Sequence, residues 1–141
     1  MASFVTQGTF EKFPSLKVMV LETGLAWIPN FFWRLDRFWP EMRAESDWVK
    51  RLPSEYLREH VKFSTQPMEL TPRKEQLVEL FESFGGMEDL LCFSSDYPHW
   101  DADDPFYVAS RLPSEWLPKL FYENARSMLR MLPVGQAEVP A

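Results

Sequence analysis

The stretch that decides the fold runs from Asp89 to Asp104: D-L-L-C-F-S-S-D-Y-P-H-W-D-A-D-D. A short apolar run, Leu90–Phe93, leads through two serines into Asp96, and Tyr97, Pro98, His99, Trp100 and Asp101 follow. Four to eight apolar residues bounded by turn signals predict a buried strand. The polar groups gather at its C-terminal end, where parallel α/β sheets carry their chemistry. Asp is both a good turn residue and a good metal ligand, so residue types alone leave Asp96 with two readings.

The same arrangement recurs upstream. Lys17–Leu21 (K-V-M-V-L) fits a strand buried on both faces, and it ends at Glu22, Thr23 and Gly24. Glu22 therefore repeats the position of Asp96, with a helix cap or an ion-pair partner as its structural alternatives. Val61–Thr65 (V-K-F-S-T) predicts a third strand, ending in Gln66 and Pro67. With period-2 alternation, Val18, Val20, Val61, Phe63, Leu90 and Cys92 are the expected inward set.

Helices are predicted between these strands. Ala2–Phe13 has apolar points at Phe4, Val5, Phe10 and Phe13, with Gly8 weakening it. Trp27–Met42 places Ile28, Phe31, Phe32, Leu35 and Trp39 on one face. Its aromatic content also fits an interfacial membrane helix, but its polar face lacks a dense Lys/Arg row, so packing on a sheet or a second subunit fits better. Pro53–His60 opens with Pro, Ser and an early Glu, as a capped helix does. His60 closes it, placed either to meet the helix dipole or to serve as a ligand. Arg73–Phe84 is amphipathic and stops at Gly85-Gly86, and Ser114–Leu132 closes the chain before a tail expected to be flexible over 133–141. R-L-P-S-E-Y-L (Arg51–Leu57) and R-L-P-S-E-W-L (Arg111–Leu117) differ at one position. Shared capping chemistry accounts for both, because their flanks do not match.

The order is thus three βα units preceded by a helix, with right-handed parallel crossovers expected. The 141 residues suffice for one domain, but a closed eight-stranded barrel takes about 250. The net charge of −6 and the lack of a basic stripe argue against nucleic acid. The single cysteine, Cys92, excludes an intrachain disulfide framework and reads as a small buried hydrophobe. The first ten residues lack the basic and apolar regions of a signal peptide, and no stretch has the length of a membrane span. A cytoplasmic protein is the expectation.

Several of these segments, in order, resemble the amidohydrolase-related metal-dependent hydrolases, a TIM-barrel family. They are F-E-K-F-P-S-L-K-V-M-V-L-E-T-G-L-A-W-I-P (Phe10–Pro29), W-R-L-D (Trp33–Asp36), F-S-T-Q-P (Phe63–Pro67), L-C-F-S-S-D-Y-P-H-W-D (Leu91–Asp101) and E-N-A-R (Glu123–Arg126). The likeness is to the C-terminal portion of that family, and it implies a partial (β/α)8 barrel over 1–132, comprising strands six to eight. It implies a divalent metal, commonly zinc, at the C-terminal mouth, with Asp96 as the strand-eight ligand or base. Glu22 stands at the strand-six position, where many relatives have histidine, and is the second candidate metal ligand. His99 joins Asp96 as a candidate catalytic residue, and Trp100 and Gln66 are candidates to line a substrate site.

The family's strand-one His-x-His pair and strand-five histidine have no counterpart, since His60 and His99 are the only histidines. Catalytic zinc usually takes three protein ligands and a water. The chain is therefore expected to bind metal weakly and to lack hydrolase activity alone. A small-molecule substrate belongs to the complete barrel, and a homo-oligomer or a complementary N-terminal half is the expected partner. The family also contains non-oxidative decarboxylases, and a non-catalytic fragment that self-associates is the third possibility.

Overall fold

Three strands, β1 (Val18–Val20), β2 (Val61–Ser64) and β3 (Leu91–Cys92), form one parallel sheet in the order β1-β2-β3. The structure, a computed structural model, describes residues 1–129. The register pairs Val18 with Val61, Val20 with Phe63, Phe63 with Leu91, and Ser64 with Cys92. The expected parallel, adjacent arrangement is what the chain adopts, with each strand one or two residues shorter than the segment predicted for it.

Helix α3 (Ile28–Met42) follows β1, and α4 (Pro53–His60) leads straight into β2. Helix α5 (Glu75–Phe84) joins β2 to β3, and α6 (Pro105–Arg111) follows the long loop after β3. The N-terminal helix is split, because Gly8 takes φ 65° between α1 (Ala2–Thr6) and α2 (Thr9–Lys12). The C-terminal helix is not regular either: a 3₁₀ turn (Ser114–Trp116) and a π-helical segment (Lys119–Glu123) precede α7 (Asn124–Leu129). The expected extension of this helix to Leu132, and the tail, lie outside the described residues. The near-identical heptads thus fold differently: the first opens α4, where Glu55 accepts the Leu52 N–H, and the second makes only a 3₁₀ turn.

Helix packing fixes the two faces of the sheet. Phe63 is fully buried and meets Trp27 and Phe32, the latter on the stripe of α3 that also buries Ile28 and Trp39. Burying such a ring contributes about 1.5–3 kcal/mol. Register and alternation then put Val18, Val20, Val61 and Leu91 on this helix-covered face. The expected inward set was therefore mistaken in β1 and β2, because alternation alone does not say which parity meets the helices. The opposite face carries Met19, Lys62, Ser64 and Cys92, and Lys62 reaches the Asp89 carbonyl on that side. Cys92 is buried, as expected, and burial pushes its thiol up to about 11.

The outer edge of β3 is closed by the chain itself. Leu90 and Cys92 give their carbonyls to β2, so Leu91 and Phe93 point their backbone groups outward. The Phe93 N–H donates to the Leu120 carbonyl at 2.9 Å, and Asn124 Nδ2 donates to the carbonyls of Leu91 and Glu88, each at 2.7 Å. Leu120 lies in the π-helical segment, whose wider turns loosen the helix's own ladder. Among the described residues, no strand pairs with the outer edge of β1.

Candidate functional site

The three predicted strand ends converge on one side of the sheet. After β1 the Glu22 N–H donates to Ser64 Oγ at 3.2 Å. After β3 the Ser94 N–H donates to Thr65 Oγ1 at 3.2 Å. Hydroxyls at the end of β2 thus carry on the sheet's pairing just where its backbone ladders stop. Glu22 and Asp96 both take φ 58°, a left-handed conformation that costs a non-glycine residue free energy.

The segment beyond β3 is a closed loop. The Asp103 N–H donates to the Ser95 carbonyl at 2.9 Å, and the His99 N–H to the Asp96 carbonyl at 3.0 Å. Asp103 Oδ2 accepts the Met68 N–H at 2.8 Å and fastens the loop to the segment after β2. Burial holds the Asp103 carboxyl above its ordinary range, against the opposing effect of that N–H. Asp104 caps α6, accepting from the Phe106 and Tyr107 N–H groups.

Within this loop Asp96, His99 and Asp101 bring one ligand atom each to within 4.8 Å of one another. His99 Nδ1 lies 2.8 Å from Asp96 Oδ2, with Asp96 mostly buried and His99 exposed. Among the described residues this is the group of at least three His, Cys, Asp or Glu side chains placed to hold a metal ion. Glu22 is outside it. Its donor set of two carboxylates and one imidazole suits a divalent cation such as zinc.

Gln66 is 1% exposed, and its Nε2 lies 3.5 Å from the Asp101 carbonyl, so its amide head reaches this loop. Trp100 is 96% exposed and stands beside the group with Tyr97, also exposed. A cavity of about 410 Å³ opens next to them, lined by Phe93, Ser95, Tyr97 and Asp103 among others. A second, of about 350 Å³, lies between α5 and α6 and shares none of the site's residues.

Two participants escaped the sequence reading. Asp101 follows His99 by two residues, a spacing that offered a signal. Glu69 offered none, sitting in an irregular stretch. Its Oε1 accepts the N–H groups of Leu25 (2.5 Å) and Ala26 (2.8 Å), clamping the loop after β1 to the loop after β2. His60 is no part of the site: it is buried, stacked on Phe10 and bonded through Nδ1 to the Leu16 carbonyl.

The family model described as amidohydrolase matches residues 1–131. The chain belongs to the amidohydrolase family. None of the curated proteins matches it. Among solved structures it is similar to the crystal structure of an amidohydrolase from Mycobacterium avium subsp. paratuberculosis K-10, with a TM-score of 0.68 and 22% identity. That likeness covers 95% of this chain and 32% of the other, so the chain spans about a third of this amidohydrolase's length. Among the described residues no helix is long and apolar enough to cross a membrane.

Proposed function

We propose that this chain is the strand-six to strand-eight portion of a metal-dependent amidohydrolase barrel, whose complete form hydrolyses a small molecule. The observation that carries the reading is the convergence of Asp96, His99 and Asp101 beyond the C-terminal end of β3. In a barrel of parallel strands that end is the mouth, where this architecture does its chemistry.

Family membership brings the expectation of a divalent metal, and the donor set at the mouth fits one. Such an ion supplies Lewis-acid polarisation and a more acidic water. The chain's own residues do the rest. Asp96 is held by its neighbours at a strand end and accepts a proton from an attacking water as general base. His99, bonded through Nδ1 to Asp96, presents its other ring nitrogen outward, where it can donate a proton to a leaving group. Trp100 offers an apolar platform to the substrate and Gln66 orders the loop behind it. Zinc is the expected ion and the cytoplasm the expected compartment.

The missing ligands define the test. The DNA upstream of the Met1 codon is read for a frame encoding a His-x-His strand, and its product is co-expressed with this chain. The pair is expected to hydrolyse amides, esters or lactones only with divalent metal, and Asp96→Asn to slow it by about 10²-fold or more. No such frame, together with no metal-dependent hydrolysis by the chain, would instead assign it to a non-catalytic, self-associating role.

A further inference from the structure

Charge is spread unevenly along this chain. Residues 75–110 hold nine Asp and Glu and no Lys or Arg, which more than accounts for the net charge of −6. Several of these carboxylates are engaged: Asp104 caps α6, Asp103 accepts the Met68 N–H, and Glu88 and Asp89 face Lys119. Glu79 and Glu82, both exposed on α5, have no cationic partner among the described residues. They border the cavity of about 350 Å³ between α5 and α6, whose apolar lining is Val78, Leu112 and Pro113. The two cations of that lining, Lys74 and Arg111, sit where α5 begins: Lys74 is its N-cap, and Arg111 Nη2 donates to Thr71 Oγ1 at 3.0 Å. Further along α5 the groove is acidic.

The complement of this groove is on the same chain. Helix α3 turns Trp33, Arg34, Arg37 and Phe38 outward, opposite the stripe that buries Ile28, Phe32 and Trp39. Trp33 and Phe38 are 46% and 45% exposed, and the Arg34 guanidinium lies over the Phe38 ring at 5.3 Å. Large exposed aromatics side by side on one helix mark an interaction surface. Arg34 has no acidic partner among the described residues. Arg37 has Glu41 at 3.4 Å, an exposed pair that is worth little in water and is readily exchanged. Helices α3 and α5 belong to one layer, since Phe32 and Trp33 both meet Phe84, at 5.2 and 6.0 Å between ring centres.

We propose that this chain binds a second copy of itself, with α3 of each copy lying along the α5–α6 groove of the other. Trp33 and Phe38 then cover Val78 and Leu112, and Arg34 and Arg37 meet Glu79 and Glu82. Both pairs are spaced three residues apart, so one register satisfies them together. Because the two surfaces share one helix layer, the contacts are reciprocal about a two-fold axis. An aromatic centre gives such an interface its burial, and the charge match gives it partner and register. The interface stands on the outer helices and does not depend on the hydrolase reading.

Charge reversal in trans tests it. One form of the chain carries Arg34→Glu with Arg37→Glu, the other Glu79→Lys with Glu82→Lys. All four positions are exposed, so both forms should unfold thermally as the native chain does. Alone, each form sets like charges against one another in both contacts of a dimer. Each should self-associate about tenfold or more weakly than the native chain in sedimentation equilibrium. Mixed in equal amounts they should form a one-to-one heterodimer, in which both contacts again join opposite charges. Association of the native chain should weaken as salt is added, and Phe38→Ser, which leaves every charge in place, should weaken it too. A native chain that is monomeric at every concentration would overturn the proposal. So would reversed forms that associate as the native chain does, which is the behaviour expected of pairing through the open edge of β1. Two weakened forms whose mixture stays monomeric would overturn it as well.

Discussion

Asn124 Nδ2 donates to the Leu91 carbonyl at 2.7 Å, on the edge of β3 that points away from β2. A second bond from the same atom goes to Glu88. One buried amide thus stands in for part of a missing strand. Asn124→Leu keeps the branched heavy-atom skeleton and removes both bonds, leaving carbonyls without donors. The expected loss is about 2–3 kcal/mol of unfolding free energy, read from urea denaturation followed by circular dichroism. A loss under about 0.5 kcal/mol would show that solvent reaches this edge and satisfies it.

The opposite edge behaves differently. Val18, Met19 and Val20 are all partly exposed and Leu21 is 57% exposed, with no strand beyond them among the described residues. Open edges favour pairing with other chains. Sedimentation at micromolar concentration is expected to show self-association, and Met19→Lys on this edge should shift it toward monomer. A monomer at every concentration would mean that the edge is too short to template a partner.

Glu22 sits in the left-handed region at φ 58° and makes no side-chain bond among the described residues. Glu22→Gly relieves about 1–2 kcal/mol of backbone cost against about 0.5–1 kcal/mol of extra chain entropy. The expected outcome is a small gain in thermal midpoint. A clear loss of stability would reveal an interaction of the carboxylate that outweighs its strain.

Gly24, at φ 68°, allows the Glu69 clamp. A Cβ there would stand 2.6 Å from Glu69 Oε1, the oxygen that binds Leu25 and Ala26. Gly24→Ala therefore meets both a disfavoured φ and a collision with a held carboxylate. It should destabilise the chain by about 1–3 kcal/mol, and hydrogen exchange should rise at the Leu25 and Ala26 amides. Unchanged exchange at these two sites would remove Glu69 from its clamping role.

Cys92 gives the fold a pH dependence. Burial raises its thiol from 9.0 to about 11. The unfolded chain then loses its thiol proton first, so stability is full below pH 9 and falls as pH rises toward about 11. Lys62, lowered by burial on the same face, titrates with the opposite sign. The contribution of Cys92 is therefore isolated by comparing alkaline unfolding curves of the native chain and Cys92→Ala, which should converge as pH increases. Parallel curves from pH 8 to 11 would mean that the thiol ionises normally.

Sequence pattern revealed the three strands, their parallel order and the convergence of polar residues at one end, because Val, Phe and Leu runs followed by Glu22, Gln66 and Asp96 are local signals. Helix α6 was missed although Asp104-Pro105 is a strong start signal. The surrounding acidic and aromatic residues drew it into the site loop. The sheet parity was not local information: it depends on where α3 lands, through Phe32 and Phe63. The Asp96, His99 and Asp101 cluster was half legible: Asp96 and His99 stand out by position, Asp101 does not, and Glu22 lies outside the cluster because the loop turns Asp96 toward its own neighbours. Glu69 acts across 44 residues of sequence on Leu25, a partnership no short window contains.

Trp100, almost wholly in solvent, is bonded on one side to His99 and on the other to Asp101. Its indole is thus an optical gauge set inside the group proposed to hold an ion. A paramagnetic ion at that point quenches the emission of the nearest indole, and ordering of the loop would change its anisotropy. Trp100 emits to the red of the shielded Trp39 and Trp116, and its share is separated from that of the half-exposed Trp33 and Trp48 by difference against the Trp100→Phe chain. Occupancy of the site could then be followed in real time without dye or label, with Trp100→Phe as the dark control.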